Sequence, residues 1–388
     1  MPASFPLAAS SWGAEEVDAI QSVLASGQFS MGARVQRFEQ EFAAYSGTRF
    51  AVMVNSGSSA NLLMTAALCH SSNPGLKLER GDEVIVPAVS WSTTYFPLAQ
   101  YGLKVRFVDI DLETLNYDLS ALAAAITPST RAIMAVNLLG NPNDFRAIEA
   151  LTRRHGLVLV EDNCESLGAR YGDQLAGTFG VMGTYSFFFS HHMSTMEGGM
   201  VTTDDEELHH VMLCLRAHGW TRNLPKHNRV TGVKSDDPFE ESFKFVLPGY
   251  NLRPLEMEAA IGTEQLKKLP AFIEQRRRNA ALVLEALRDH TDLMLQREIG
   301  SSSWFGFSLV IRPGSTWTRQ QLVQRLTSLG FECRPIVTGN FAKNPVVAHF
   351  DHSIPFPLKN ADHIDAKGLF IGNHHFPMDS ATSALRQL

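Results

Sequence analysis

Apolar residues recur in two rhythms along the first 250 positions. Short apolar runs at residues 50–54, 83–87, 105–108, 131–136, 157–161 and 183–188 predict strands buried on both faces, as in parallel sheets. Between them, residues 14–25, 36–45, 60–69, 120–125, 144–155 and 205–217 carry apolar positions at helical spacing. Strands alternating with helices predict an α/β domain around a mostly parallel sheet. Residues 254–268 read as a helix that runs on past Pro270 through Arg276-Arg277-Arg278 and connects to a smaller C-terminal α/β domain. The division expected is a large domain over 1–253 and a small one over 254–388. No low-complexity linker separates them, and no solenoid-length repeat is visible.

Composition narrows the class. The chain has 388 residues, 44% hydrophobic and 19% charged, which is globular and large enough for two cores. A net charge of −6 and a pI near 6.2 give no global attraction for nucleic acid or anionic membranes. The N-terminus lacks the basic and apolar regions of a leader, and no apolar run reaches membrane-spanning length, so a cytoplasmic enzyme is expected. Cys69, Cys164, Cys214 and Cys333 are dispersed, without the close pairs that build zinc or iron-sulfur sites, and no metal is expected.

Four stretches carry candidate chemistry. Asn55-Ser56-Gly57-Ser58-Ser59-Ala60-Asn61 joins a strand to a helix; amides at such a helix start, with small side chains around them, suit a phosphate dianion. Alone, the same turn is explained by helix capping. Val160-Glu161-Asp162-Asn163-Cys164-Glu165 ends an apolar strand, where open α/β sheets bind ligands. Pro87-Ala88-Val89-Ser90-Trp91-Ser92-Thr93-Thr94 follows another strand and offers a flat aromatic face in Trp91. The fourth stretch is Tyr185-Ser186-Phe187-Phe188-Phe189-Ser190-His191-His192-Met193, followed by Glu197-Gly198-Gly199.

Taken together and in this order, these stretches resemble the sugar aminotransferase family (DegT/DnrJ/EryC1/StrS). Its members are fold-type I pyridoxal phosphate enzymes with the aspartate aminotransferase-like fold. The resemblance covers nearly the whole chain and is strongest to the branch lacking the cofactor lysine, through His191-His192-Met193-Ser194-Thr195, residues 303–307 and residues 333–340. His191 stands where the family's lysine would be, and no lysine occurs between Lys104 and Lys226. A primary amine forms a stable imine with an aldehyde and an imidazole does not, so His191 moves protons but does not hold the cofactor covalently. His192 is the competing candidate for that role; alignment from Ser186 favours His191.

The resemblance implies the remaining roles. Gly57, Ser58 and Ser186 would contact the cofactor phosphate, Trp91 would lie over its ring, and Asp162 would pair with the pyridinium nitrogen. Glu165 would approach the ring hydroxyl, where relatives commonly have glutamine. Asn251, in Gly249-Tyr250-Asn251, would reach the phosphate bound by the other subunit of a homodimer whose active site lies at the interface. His218 and Arg334 are sugar- or phosphate-contacting candidates. The implied cofactor is noncovalent pyridoxal or pyridoxamine 5'-phosphate with no iron-sulfur cluster. The implied reaction is C3 dehydration of a nucleotide-linked 4-keto-6-deoxy sugar, foremost GDP-4-keto-6-deoxy-D-mannose. L-glutamate would be the amino donor and His191, near its reference pKa of about 6.5, the acid/base. The alternatives are a noncatalytic nucleotide-sugar-binding relative and an aminotransferase with a substituted lysine.

Overall fold

The computed structural model describes residues 5–388. Seven strands from the first part of the chain enter the large sheet: β1 (Phe50–Val54), β2 (Glu83–Pro87), β3 (Lys104–Val108), β4 (Thr130–Val136), β5 (Val158–Asp162), β6 (Met182–Ser186) and β7 (Gly199–Thr203). Five follow: β8 (Leu293–Leu295), β9 (Gly306–Ile311), β10 (Cys333–Arg334), β11 (His352–Ser353) and β12 (Gly368–Gly372). The large sheet has the order β1-β7-β6-β5-β4-β2-β3-β11. All its neighbours pair in parallel except β7, which runs antiparallel to both β1 and β6.

Alternation along the central strands explains why they read as continuous apolar runs. Val84 and Val86 of β2 join one core with α3 (Gly57–Cys69), α4 (Ser92–Gln100) and α7 (Glu206–Arg216). Ile85 between them joins the opposite core with α5 (Leu119–Ala125) and α6 (Phe145–His155). Both faces are therefore covered, the condition under which a mostly parallel sheet is stable.

The long helix α8 (Glu256–Ala286) spans 31 residues and continues through Pro270. Its first half packs with α1 (Ala14–Ser26) and α2 (Ala33–Ser46); Ala259, Leu269 and Ile273 share a core with Val35, Phe38 and Phe42. Its last turns supply Ala280 and Val283 to a second core over the antiparallel sheet β8-β9-β12-β10. That core is closed by α9 (Arg319–Ser328) and α11 (Asp379–Leu385), while α10 (Lys359–Lys367) packs on β9 and β12. Residues 254–388 also return β11 to the edge of the large sheet, beside β3. Among the described residues no helix is long and apolar enough to cross a membrane.

Candidate active site

The candidate residues converge at the carboxyl ends of β5 and β6 and the start of α3. Ser56 caps α3, its hydroxyl accepting from the Ser59 amide at 3.0 Å, and Gly57 opens the helix. A Cβ on Gly57 would stand 2.5 Å from Ser186 Cβ and 3.1 Å from Cys164 Sγ, which places the three loops in contact. Ser58 is exposed, and its hydroxyl lies 2.9 Å from that of Thr93 at the start of α4. The cap fixes the turn, and glycine keeps the amides approachable, so capping and anion binding are compatible at this helix start. Gly57→Ala must displace Ser186, and overpacking of this kind costs about 1–3 kcal/mol. We expect affinity for pyridoxamine phosphate, read by fluorescence titration, to fall by about ten- to hundredfold.

Asp162 ends β5 and is 5% exposed. Its Oδ2 accepts from Asn61 Nδ2 at 2.8 Å and Thr94 Oγ1 at 2.7 Å, while Oδ1 accepts from the Cys164 amide at 3.2 Å. The Asn61 amide is itself oriented by Thr184, whose hydroxyl donates to Asn61 Oδ1 at 2.7 Å. Three donors around this buried carboxyl fix its orientation. Glu161, one residue earlier, points to the other face and accepts amides from Gly177, Phe179 and Gly180 at 2.6–2.8 Å, anchoring that loop. Glu165 is half-buried; Oε2 accepts from the Leu139 amide at 3.0 Å, and burial pushes its carboxyl up to about 7, with the nearby Asp162 charge adding to the rise. Trp91 precedes α4 with 56% of its surface exposed, leaving a face free for a ligand.

The two histidines have different surroundings. His192 is 1% exposed and its Nε2 lies 3.1 Å from the Ser303 carbonyl. His191 is half-buried, edge-on to the Phe305 ring with centroids 5.2 Å apart, and its buried Nδ1 has no hydrogen-bond partner. His192 Nδ1 is likewise without a partner, so the two differ in that the Ser303 carbonyl engages the His192 ring and, among the described residues, no hydrogen bond engages that of His191. One expectation is corrected: the His191 imidazole does not stand near 6.5. Burial, and secondarily the Arg276 guanidinium, lower it to about 4.

Burial also holds His209 and His374 near 4, and lowers His192 well below its ordinary value. Unfolded imidazoles titrate near 6.5, so between that pH and 4 these four histidines bind more protons in the unfolded chain than in the folded one. Their contribution to stability is present above this window and is lost as pH falls through it, while Glu161, Glu165 and Glu258, raised by burial to about 7, act with the opposite sign. Replacing His209 removes its share, so the Tm gained by the cofactor-free protein between about pH 4 and 6.5 is expected to be smaller in His209→Gln; an equal gain in both proteins would contradict a neutral buried His209.

The other sequence candidates lie further out. Asn251 is exposed and accepts from Arg253 Nε at 3.0 Å; the next residue, Leu252, accepts the Asn55 amide at 3.1 Å, bringing this loop beside the start of α3. His218 takes a left-handed φ of 63° and donates its amide to the Tyr250 carbonyl at 2.6 Å. Arg334 on β10 is exposed, 3.6 Å from Glu332. Asn61, Thr94 and Cys164 were missed as neighbours of the site, although all three stand inside the candidate stretches. Thr94 follows Trp91 by three residues, one helical turn, which was the available signal.

The DegT/DnrJ/EryC1/StrS aminotransferase family model matches residues 10–381. The chain belongs to this family. Among its relatives is GDP-4-keto-6-deoxy-D-mannose 3-dehydratase of Yersinia pseudotuberculosis, 60% identical over 376 residues, with 97% of this chain and 95% of that one covered. A solved structure of the E. coli GDP-4-keto-6-deoxy-D-mannose-3-dehydratase with bound hydrated PLP superposes with TM-score 0.98 at 57% identity, covering 100% of this chain and 99% of that one. A structure of GDP-4-keto-6-deoxymannose-3-dehydratase with a trapped PLP-glutamate geminal diamine gives TM-score 0.97 at 58% identity, with 99% of each chain covered. The fold is that of the PLP-dependent aminotransferases, as the sequence motifs implied, and the chain is an enzyme of the 3-dehydratase type.

Proposed function

We propose that this chain binds pyridoxal or pyridoxamine 5'-phosphate noncovalently and removes the C3 oxygen of GDP-4-keto-6-deoxy-D-mannose, with L-glutamate as amino donor. The observation that carries the reading is a cofactor-type site, with its buried and fully donated Asp162, in which the lysine position holds a histidine with an uncommitted ring. The residues fit the cofactor: a cradle at Gly57 that a side chain would fill, a buried anion for a ring nitrogen, and an orphaned imidazole nitrogen. When bound, the cofactor supplies an amine that condenses with a ketone and a ring that accepts electrons.

This chain's own residues divide the remaining work. The α3 amides at Gly57 and Ser58, with the Ser186 hydroxyl, hold the phosphate. Trp91 covers one face of the ring, Asp162 keeps its nitrogen protonated, and Glu165 meets the ring hydroxyl. His191, neutral across the physiological range, accepts a proton as base and returns it to the departing C3 oxygen. No lysine in this region displaces a product covalently. His218 and Arg334 approach the nucleotide sugar. The exposure of Asn251 and Trp91 supports an active site completed by a second copy, with Asn251 reaching the partner's phosphate. The balance is one glutamate and one sugar giving one 2-oxoglutarate, one ammonia and a 4-keto-3,6-dideoxy sugar.

Ammonia distinguishes this from amino transfer. With excess glutamate and sugar, ammonia and 2-oxoglutarate are expected to accumulate in equal amounts. Production of 2-oxoglutarate without ammonia would make the chain an aminotransferase and overturn the proposal.

A further inference from the structure

Three consecutive arginines on α8 have three different fates. Arg278 pairs with Glu274 at the surface, and Arg277 Nε donates to the Ser302 carbonyl at 2.8 Å. Arg276 is 5% exposed and, among the described residues, has no carboxylate partner. Its Nη1 donates to the carbonyls of Phe305 at 3.0 Å and Asn373 at 2.8 Å, and its Nε is buried without a partner. A buried charge left without a counter-ion is costly and calls for a reason beyond gathering two carbonyls.

The loop that Arg276 grips is the one facing the histidines. The Ser303 amide and the Ser302 hydroxyl donate to the Gly140 carbonyl at 2.9 and 2.8 Å, and the Phe305 amide donates to the Leu139 carbonyl at 3.1 Å. Trp304 sits at φ 47°, a left-handed conformation that bulky residues rarely adopt, and a Cβ on Gly140 would collide with its amide. Clamped on both sides, the loop presents the Phe305 ring 5.2 Å from His191 and 5.7 Å from His192.

We propose that Arg276 is a positioning residue for the reaction: through the Phe305 carbonyl it holds the aromatic wall against His191, and it brings an uncompensated charge to the same loop. This rests on His191 being the base. The charged and titratable groups around the two imidazoles are Arg276 and Arg277 from α8 and the imidazoles themselves. A fixed positive charge in a poorly solvated setting opposes a second one nearby, so the lowered His191 value of about 4 agrees with the geometry. Arg276 is thus the route by which α8, shared by the two cores, bears on the reacting groups.

Exchange of the histidine C2 hydrogen for deuterium, resolved by mass spectrometry on the cofactor-free protein, reports the His191 midpoint without requiring turnover. The midpoint is expected to rise by about one pH unit or more in Arg276→Gln and to stay low in Arg276→Lys, which keeps the charge. The acid limb of kcat/KM is expected to move with it. A folded Arg276→Gln protein with an unmoved midpoint overturns the proposal. A moved midpoint with an unmoved acid limb instead overturns the reading of His191 as base while the coupling stands. Should Arg276→Gln fail to fold, Phe305→Leu decides. It removes the aromatic wall but leaves the charge, so it must lower kcat at constant KM while the midpoint stays low; an unchanged kcat sinks the idea.

Discussion

Replacing His191 by glutamine is expected to lower kcat for sugar deoxygenation by about a hundred- to ten-thousandfold, the range over which a positioned general acid/base acts. Glutamine keeps volume and polarity but has no titratable nitrogen. Absorbance titration with pyridoxal phosphate should show near-native affinity, because the phosphate cradle and Asp162 lie on other elements. His192→Gln is the control that separates the neighbours. Loss of its bond to the Ser303 carbonyl removes a buried contact worth about 0.5–1.5 kcal/mol, so the fold should weaken while most of kcat survives. Equal losses of kcat in the two variants would contradict the assignment of a single base.

Asp162→Asn is expected to act almost as strongly and through two routes. The site aims three donors at the two carboxylate oxygens, from Asn61, Thr94 and the Cys164 amide. An asparagine there offers one oxygen and one NH2, and the NH2 must face a donor, leaving buried groups unsatisfied at a cost of about 1–3 kcal/mol. A lowered Tm of the cofactor-free protein measures this part. The second route is loss of the anion opposite the ring nitrogen; removing one partner of a buried ion pair costs about 3–5 kcal/mol, or roughly a hundred- to several-thousandfold in kcat. Unchanged turnover in a folded Asp162→Asn protein would remove Asp162 from the cofactor site.

The large sheet was readable because its central strands are buried on both faces and so appear as unbroken apolar runs. Residues 50–54 and 83–87 were bounded as they fold, and the helix through Pro270 was expected from continuous periodicity on either side of the proline. Several elements escaped, among them two beside the site. Ser92–Gln100 is helical although it contains Thr93, Thr94 and Pro97, poor helix formers whose cost is offset by packing against α3 and β3. Gly199–Thr203 follows a glycine pair that reads as a loop, and becomes a strand because β1 and β6 pair with it on both edges. In the site, residue types at strand ends were legible, and so was the histidine in the lysine position. The support around them was not. The carboxylate donors Asn61 and Thr94 lie 101 and 68 positions from Asp162, and Arg276 lies 29 from the Phe305 carbonyl it holds. Chain folding brings these groups together, and no local spacing announces it. The lowered His191 value has the same origin, since burial and a distant guanidinium set it.

The central claim is that a histidine in the lysine position turns amino transfer into deoxygenation. The mass of the sugar product tests it most directly, after incubating the protein with pyridoxal phosphate, L-glutamate and GDP-4-keto-6-deoxy-D-mannose. A nucleotide sugar lighter by one oxygen, with no nitrogen gained on the sugar, is the predicted result; a product carrying an amino group at C4 would contradict it.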